Sequence, residues 1–160
     1  MTTSTFTGTR TSTARAAAPV VRTARDLALL LARIGLGVLM IGHAVLEFRF
    51  GGNSLGGVGD LFAQGGVPLP ALTGPANVLL ESVGGVAMIV GLGVPVVGVL
   101  MALNMVGAWM FVHTSPLYSM DHNGPETVIA IGLLSLALAA AGSGRLGLDE
   151  VVRRRFARRG

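Results

Sequence analysis

The chain contains no cysteine. That excludes disulfides, thiolate metal sites and cysteine-based redox chemistry within it. It contains no lysine either: all 12 of its basic residues are arginine. Charged residues make up only 12% of the sequence, about half the share in an ordinary soluble domain. Aromatic residues are just 5%, with a single tryptophan. No Gly-rich phosphate loop, nucleophile elbow or haem motif is present, which removes the common nucleotide, esterase and haem chemistries. What fills the space is apolar: 51% of 160 residues, at a mean hydropathy of +0.68. The length fits one domain and the composition a membrane protein. A pI near 11.3 raises nucleic acid as a partner. The arginines gather at the two ends and nearly vanish between them, which argues for a lipid bilayer instead and against nucleic-acid binding.

Residues 1–26 are rich in threonine and arginine and lack an apolar period, so they read as a disordered cytoplasmic tail. Neither a cleaved signal peptide nor a transit peptide is expected there. A transmembrane domain then covers 27–143, with four apolar spans at about 27–47, 76–94, 95–114 and 126–142. A helix needs about 20 residues to cross the hydrocarbon layer. Residues 48–75 read as a Gly- and Pro-rich loop holding a short interfacial helix in "GVGDLFAQGG". "GLGVP" reads as a tight turn, because proline suits the first turn of the helix that follows. Residues 144–160 form a basic tail with scattered Val and Phe, suited to lying on anionic lipid. The predicted fold is therefore all-α, an integral membrane bundle of four transmembrane helices.

Charge sets the orientation. Residues 1–26 carry four Arg against one Asp, and residues 145–160 carry six Arg against Asp149 and Glu150. On the other side, Glu47, Arg49, Asp60, Asp121 and Glu126 leave a net −3. The positive-inside rule places both termini in the cytoplasm, a parity that four spans satisfy. The expected location is multi-pass in the bacterial cytoplasmic (inner) membrane. Small residues recur one turn apart at Ala28/Ala32, Gly98/Ala102 and Ser135/Ala139, spacings that let helices approach closely.

Ionisable residues inside a membrane are costly, so each is a site candidate. His43 and Glu47 share a face, since i and i+4 are neighbours on a helix. Glu81, Trp109, His113 and Glu126 fall at the same end of their spans, so four helices bring polar groups to one level. The candidate ligand-binding set is His43, Glu47, Glu81, Asn104, Trp109, His113 and Glu126, with Glu81 and His43 as proton-handling candidates. Bland readings stand beside these. Glu47 and Glu126 suit helix ends, Trp109 and His113 an interfacial belt, Asn104 interhelical hydrogen bonding. Glu81 is hardest to dismiss, because burying an unpaired carboxylate costs several kcal/mol. Arg33 is expected to snorkel to lipid phosphates, or to pair with Asp149 if the tail folds back. A His/Glu pair at i,i+4 suits a metal, but no H-x-x-x-H or carboxylate-bridge motif accompanies it and no metal is expected.

Taken in order, "LLLARIGLGVLMIGHAVLEF", "PANVLLESVGGVAMIVGLGV", "MALNMVGAWMFVH" and "NGPETVIAIGLLSLALAAAGSGRLGLDEVV" resemble the helices of the DoxX family of small four-helix bacterial membrane proteins. The last ends in a G-x-G-R-x-x-L-D pattern, here Gly142, Gly144, Arg145, Leu148 and Asp149. The polar positions matching the family are Arg33, His43, Glu81, Asn104, His113, Glu126 and Asp149, with Arg33, Arg145 and Asp149 read as structural. One departure stands out: the family usually has lysine where this chain has Glu47. The resemblance implies a membrane subunit or partner of a quinone-linked oxidoreductase, with quinone as the ligand and no covalent cofactor. Electrons would come from a redox-enzyme partner, since the chain has no redox motif. Two further readings fit the residues: a small proton-coupled carrier acting as an oligomer, or a non-catalytic anchor recruiting partners through "RRRFARRG".

Overall fold

A computed structural model describes residues 11–117 and 124–157, with side chains from residue 21 onward. The first ten residues, the loop segment 118–123 with Asp121, and the last three lie outside the described residues. Six helices follow one another: α1 (Thr11–Phe50), α2 (Leu55–Gln64), α3 (Pro70–Val90), α4 (Val94–Phe111), α5 (Glu126–Ala141) and α6 (Leu148–Ala157). No strand occurs among the described residues.

Three segments are long and apolar enough to cross a membrane: Val21–Phe50, Pro70–Val90 and Val94–Phe111. The helix α5 is apolar but shorter, at 16 residues, or about 24 Å. The surface of these helices is inverted relative to a soluble protein. Leu31, Val38, Leu79, Val83, Leu103 and Leu133 are each more than half exposed, while Arg33, Asn77, Glu81 and Ser135 are buried. Water would not tolerate that arrangement, and a bilayer favours it.

Each helix turns one narrow stripe inward. On α1 it runs Arg33, Leu36, Gly37, Met40 and Ala44; on α3 it runs Gly74, Asn77, Glu81, Gly84, Gly85 and Met88. Both follow the i, i+3, i+4, i+7 spacing of one helical face. Pairing is tightest between α1 and α3 and between α4 and α5, with lighter seams α3–α4 and α1–α5. Glycine decides where the pairs cross. A Cβ on Gly37 would lie 2.5 Å from the Gly85 carbonyl oxygen, and one on Gly85 2.8 Å from that of Gly37. On the other pair, a Cβ on Gly98 would lie 2.6 Å from the Ser135 carbonyl and 2.9 Å from the Ala139 Cβ. The small residues of α4 and α5 thus meet each other, as their spacing predicts; α1 uses Gly37 for its crossing. Between the pairs, four methionines (Met40, Met88, Met101 and Met105) pack with Leu36, Ile131 and Leu138 into the core.

Two helix starts and one side chain differ from the sequence reading. The helix α1 begins at Thr11, not near residue 27, so residues 11–26 are helical where a disordered tail is expected. Ala and Arg in that stretch are good helix formers and extend the apolar helix without a break. The helix α3 starts at Pro70 with Pro75 inside it, where prolines read as loop. Pro70 sits where an amide donor is not needed, and Leu69 takes a left-handed conformation (φ 51°) to turn the chain into the helix. Arg33 does not snorkel. It is fully buried, and its Nη2 donates to the Leu146 carbonyl at 3.4 Å. The segment after α5 folds back to meet it, in the half-anticipated manner. Asp149 lies near Arg33, yet its carboxylate accepts the Gly93 and Val94 amides at 2.7 and 3.1 Å, at the start of α4. The Asp149 amide in turn donates to the Gly91 carbonyl at 2.9 Å. The G-x-G-R-x-x-L-D pattern is therefore a clasp on the α3–α4 turn.

Candidate functional site

At the end opposite this clasp lies a cavity of about 400 Å³, within the usual range for small-molecule sites. Every long helix contributes. The last turns of α1 bring His43 and Glu47, the first half of α3 brings Asn77 and Glu81, α4 brings Asn104, and His113 follows it. The helix α2 closes one side with Phe62, and Phe111 supplies a second aromatic wall. It is set there by Ser54, which accepts the Gly57 amide at 3.0 Å and so starts the helix. Gly59 of α2 then lies against Gly74 of α3.

Four of the polar side chains are linked in pairs. Asn77 Nδ2 donates to Glu47 Oε2 at 2.7 Å, joining α1 to α3. Asn104 Nδ2 donates to Glu81 Oε1 at 3.2 Å, joining α3 to α4. Asn77 also lies against Glu81, and Glu47 is close enough to Glu81 for their charges to interact. Glu81 is 2% exposed, and its Oε2 is buried without a hydrogen-bond partner. A carboxylate held by one amide, with its second oxygen bare in an apolar chamber, is a group held ready for a hydrogen bond or a proton.

The structure brings together His43, Glu47, Glu81, Asn104 and His113, all lining this cavity. It does not bring Trp109 or Glu126 there. Trp109 is half exposed and lines a separate apolar groove of about 240 Å³ between α4 and α5. Residue 109 lies one turn beyond Met105 and two beyond Ala102, on the face of α4 that borders the groove with α5. Glu126 opens α5, and its carboxylate curls over the backbone of Gly124. Arg33, Arg145 and Asp149 belong to the clasp end, where Arg145 meets Asp26 at 3.9 Å. Among the described residues, no three acidic or histidine side chains group closely enough to hold a metal ion.

Sequence reasoning missed Asn77 and Phe62. The signal for Asn77 is plain in hindsight: a polar residue one turn before Glu81, on the same face of an apolar helix. Phe62 has no such signal, because its place depends on how α2 folds onto α3.

Known proteins bear on this arrangement. The oxidoreductase CatD of Bacillus subtilis (strain 168), a provisional name, is 30% identical over 127 residues, or 79% of this chain and 88% of that protein. No solved structure matches. The DoxX family model matches residues 28–114, which run from α1 through α4 and hold every cavity residue named above. With its apolar spans and inverted surface, this chain is a multi-pass membrane protein and a member of the DoxX family.

Proposed function

We propose that this protein is a membrane subunit of an oxidoreductase complex and that its cavity holds the headgroup of a quinone. One observation carries the reading: a cavity walled by Phe62 and Phe111 with a buried, bare carboxyl oxygen, Glu81 Oε2. Such a chamber suits a flat apolar ring with polar edges. Glu81 exchanges protons with the ring edge, and His43, which lines the same cavity from α1, relays them. The chain brings no redox group of its own, so electrons come from a partner enzyme. The provisional oxidoreductase name of the Bacillus relative supports that partnership.

In this reading α5 is a fourth, little-tilted span, and both termini lie on the cytoplasmic side of a bacterial cytoplasmic membrane. The arginine excess of both terminal segments supports that orientation. The cavity then opens toward the other face. The test is purification of the tagged protein from its own membranes in mild detergent, with absorption spectra and mass analysis of what accompanies it. A flavin-, haem- or molybdenum-bearing partner is expected, together with co-purifying quinone that Glu81→Gln depletes. A homo-oligomer with no redox partner and no quinone overturns the reading and turns attention to proton-coupled transport, measured as flux in liposomes.

A further inference from the structure

At the clasp end, away from the cavity, an open groove of about 580 Å³ lies between α1, the segment that follows α5, and α6. Its cations are Arg22, Arg25, Arg145 and Arg153, and its acids are Asp26, Asp149 and Glu150. The acids are all engaged. Asp26 accepts the Arg145 amide at 3.3 Å and meets the Arg145 guanidinium at 3.9 Å. Asp149 holds the Gly93 and Val94 amides, and Glu150 pairs with Arg153 and Arg154. Two cations are left over. Arg22 and Arg25 are exposed, and their guanidiniums have neither a hydrogen bond nor an ion pair among the described residues. They stand three residues apart, on one face of α1. Arg33, buried beside Asp149, adds a further positive charge close by.

Depth narrows what such a groove meets. The apolar run of α1 starts at Leu27, directly after Arg25 and Asp26, and α5 ends at Ala141, which lines the groove. The groove therefore lies where the apolar helices reach water. The helix α6 leaves at the same level. Its Leu148, Val152 and Phe156 recur every four residues and are all exposed, next to three consecutive arginines. An uncovered apolar stripe on a basic helix suits the headgroup layer of a bilayer. We propose that this groove binds the phosphate of an anionic phospholipid, held between Arg22 and Arg25 of α1 and the arginines at the start of the tail. A guanidinium meets phosphate oxygens through paired, charge-assisted N–H···O bonds. Basic pockets between membrane helices take anionic headgroups on the same terms. A free phosphate offers the same oxygens, but a lipid presents them at the depth where these helices end. A choline headgroup brings its own cation and so leaves the two spare arginines uncompensated.

The full-length protein, purified in a mild non-ionic detergent, is titrated with dioleoyl phosphatidylglycerol, with dioleoyl phosphatidylcholine and with inorganic phosphate, and bound species are read by native mass spectrometry. Phosphatidylglycerol is expected to bind well ahead of phosphatidylcholine. Arg22→Gln and Arg25→Gln, at exposed and unpaired positions, each weaken that binding about fivefold, the equivalent of about 1 kcal/mol per arginine at an anionic surface. Arg155→Gln removes the same charge from α6 outside the groove and leaves binding near wild type. An equal loss with Arg155→Gln overturns the site and leaves only the diffuse attraction of a basic tail. Equal binding of the two lipids overturns the selection for an anionic headgroup. Inorganic phosphate that binds with the Arg22 and Arg25 dependence, while phosphatidylglycerol does not, overturns the lipid as occupant.

Discussion

The two ends of this helical assembly treat their buried carboxylates in opposite ways. At the clasp end, Asp149 has both oxygens satisfied by backbone amides, and its own amide holds the Gly91 carbonyl. Arg33 Nη2 reaches the Leu146 carbonyl, and the guanidinium sits beside that acid, while its Nε and Nη1 are buried without a hydrogen bond. At the cavity end, Glu81 keeps one oxygen bare, and the space beside it is empty enough for a ligand. A buried carboxylate with both oxygens bonded fixes a structure, while one with a bare oxygen beside a cavity is held ready for a partner. The contrast separates residues that hold the fold from residues that use it.

Substitutions sharpen this division, and the largest effect belongs to Gly91. Its φ is +74°, and a Cβ there would overlap the Arg33 guanidinium and lie 2.7 Å from the Gly147 Cα. Gly91→Ala combines left-handed strain with overpacking, so a loss of about 3 kcal/mol is expected in detergent unfolding by SDS titration. A wild-type midpoint would break the claim that this end is structural. Next comes Asp149→Ala, which strips the caps from α4 and the counter-charge from Arg33. It is expected to destabilise by about 2 kcal/mol. Asp149→Asn keeps one acceptor and isolates the charge, with a smaller loss.

The cavity end should respond the other way. Glu81→Gln is expected to change unfolding by less than about 1 kcal/mol, because the wild-type carboxylate is already half unsatisfied. Ligand binding in the same preparation should fall sharply. A large stability loss without a binding change would make Glu81 one more structural polar group. The smallest effect is at α6. Glu150 hydrogen-bonds Arg154 and Arg153, and those contacts hold its carboxyl below the usual carboxylate range. A depressed folded value means the contribution is complete above the ordinary carboxylate range and is lost as pH falls through the folded value. Amide exchange of residues 148–157 should therefore accelerate only in acid, while exchange in α3 and α4 is unchanged.

What the sequence made legible follows the same division. The helical stripes, the tight turn at Gly91–Gly93 and the small-residue crossing of α4 on α5 all rest on local spacing, which periodicity reports directly. The convergence of His43, Glu47, Glu81, Asn104 and His113 was readable because depth in a membrane can be counted along each helix. Depth alone does not say which neighbour a side chain faces, so Trp109 lies at the level of the cavity yet lines the groove between α4 and α5. For Arg33 the fold-back toward Asp149 was one of two readings and the structure brings the two together, while its hydrogen-bond partner, a backbone carbonyl more than a hundred residues away, is announced by no side-chain pattern. Asn77 was passed over for want of charge, although its amide ties Glu47 to α3.

The clasp also has a consequence in time. The Asp149 carboxylate lies 55 residues beyond the Val94 amide it holds. Synthesis runs from the N-terminus, so the α3–α4 hairpin is made long before its cap exists. Until α5 and the segment after it have been made, the first amides of α4 have no carboxylate to bind and Arg33 has no Leu146 carbonyl to meet. Closing the clasp is therefore a late act of assembly, and a chain cut short within α5 is left unlocked at the very turn that joins its two helix pairs.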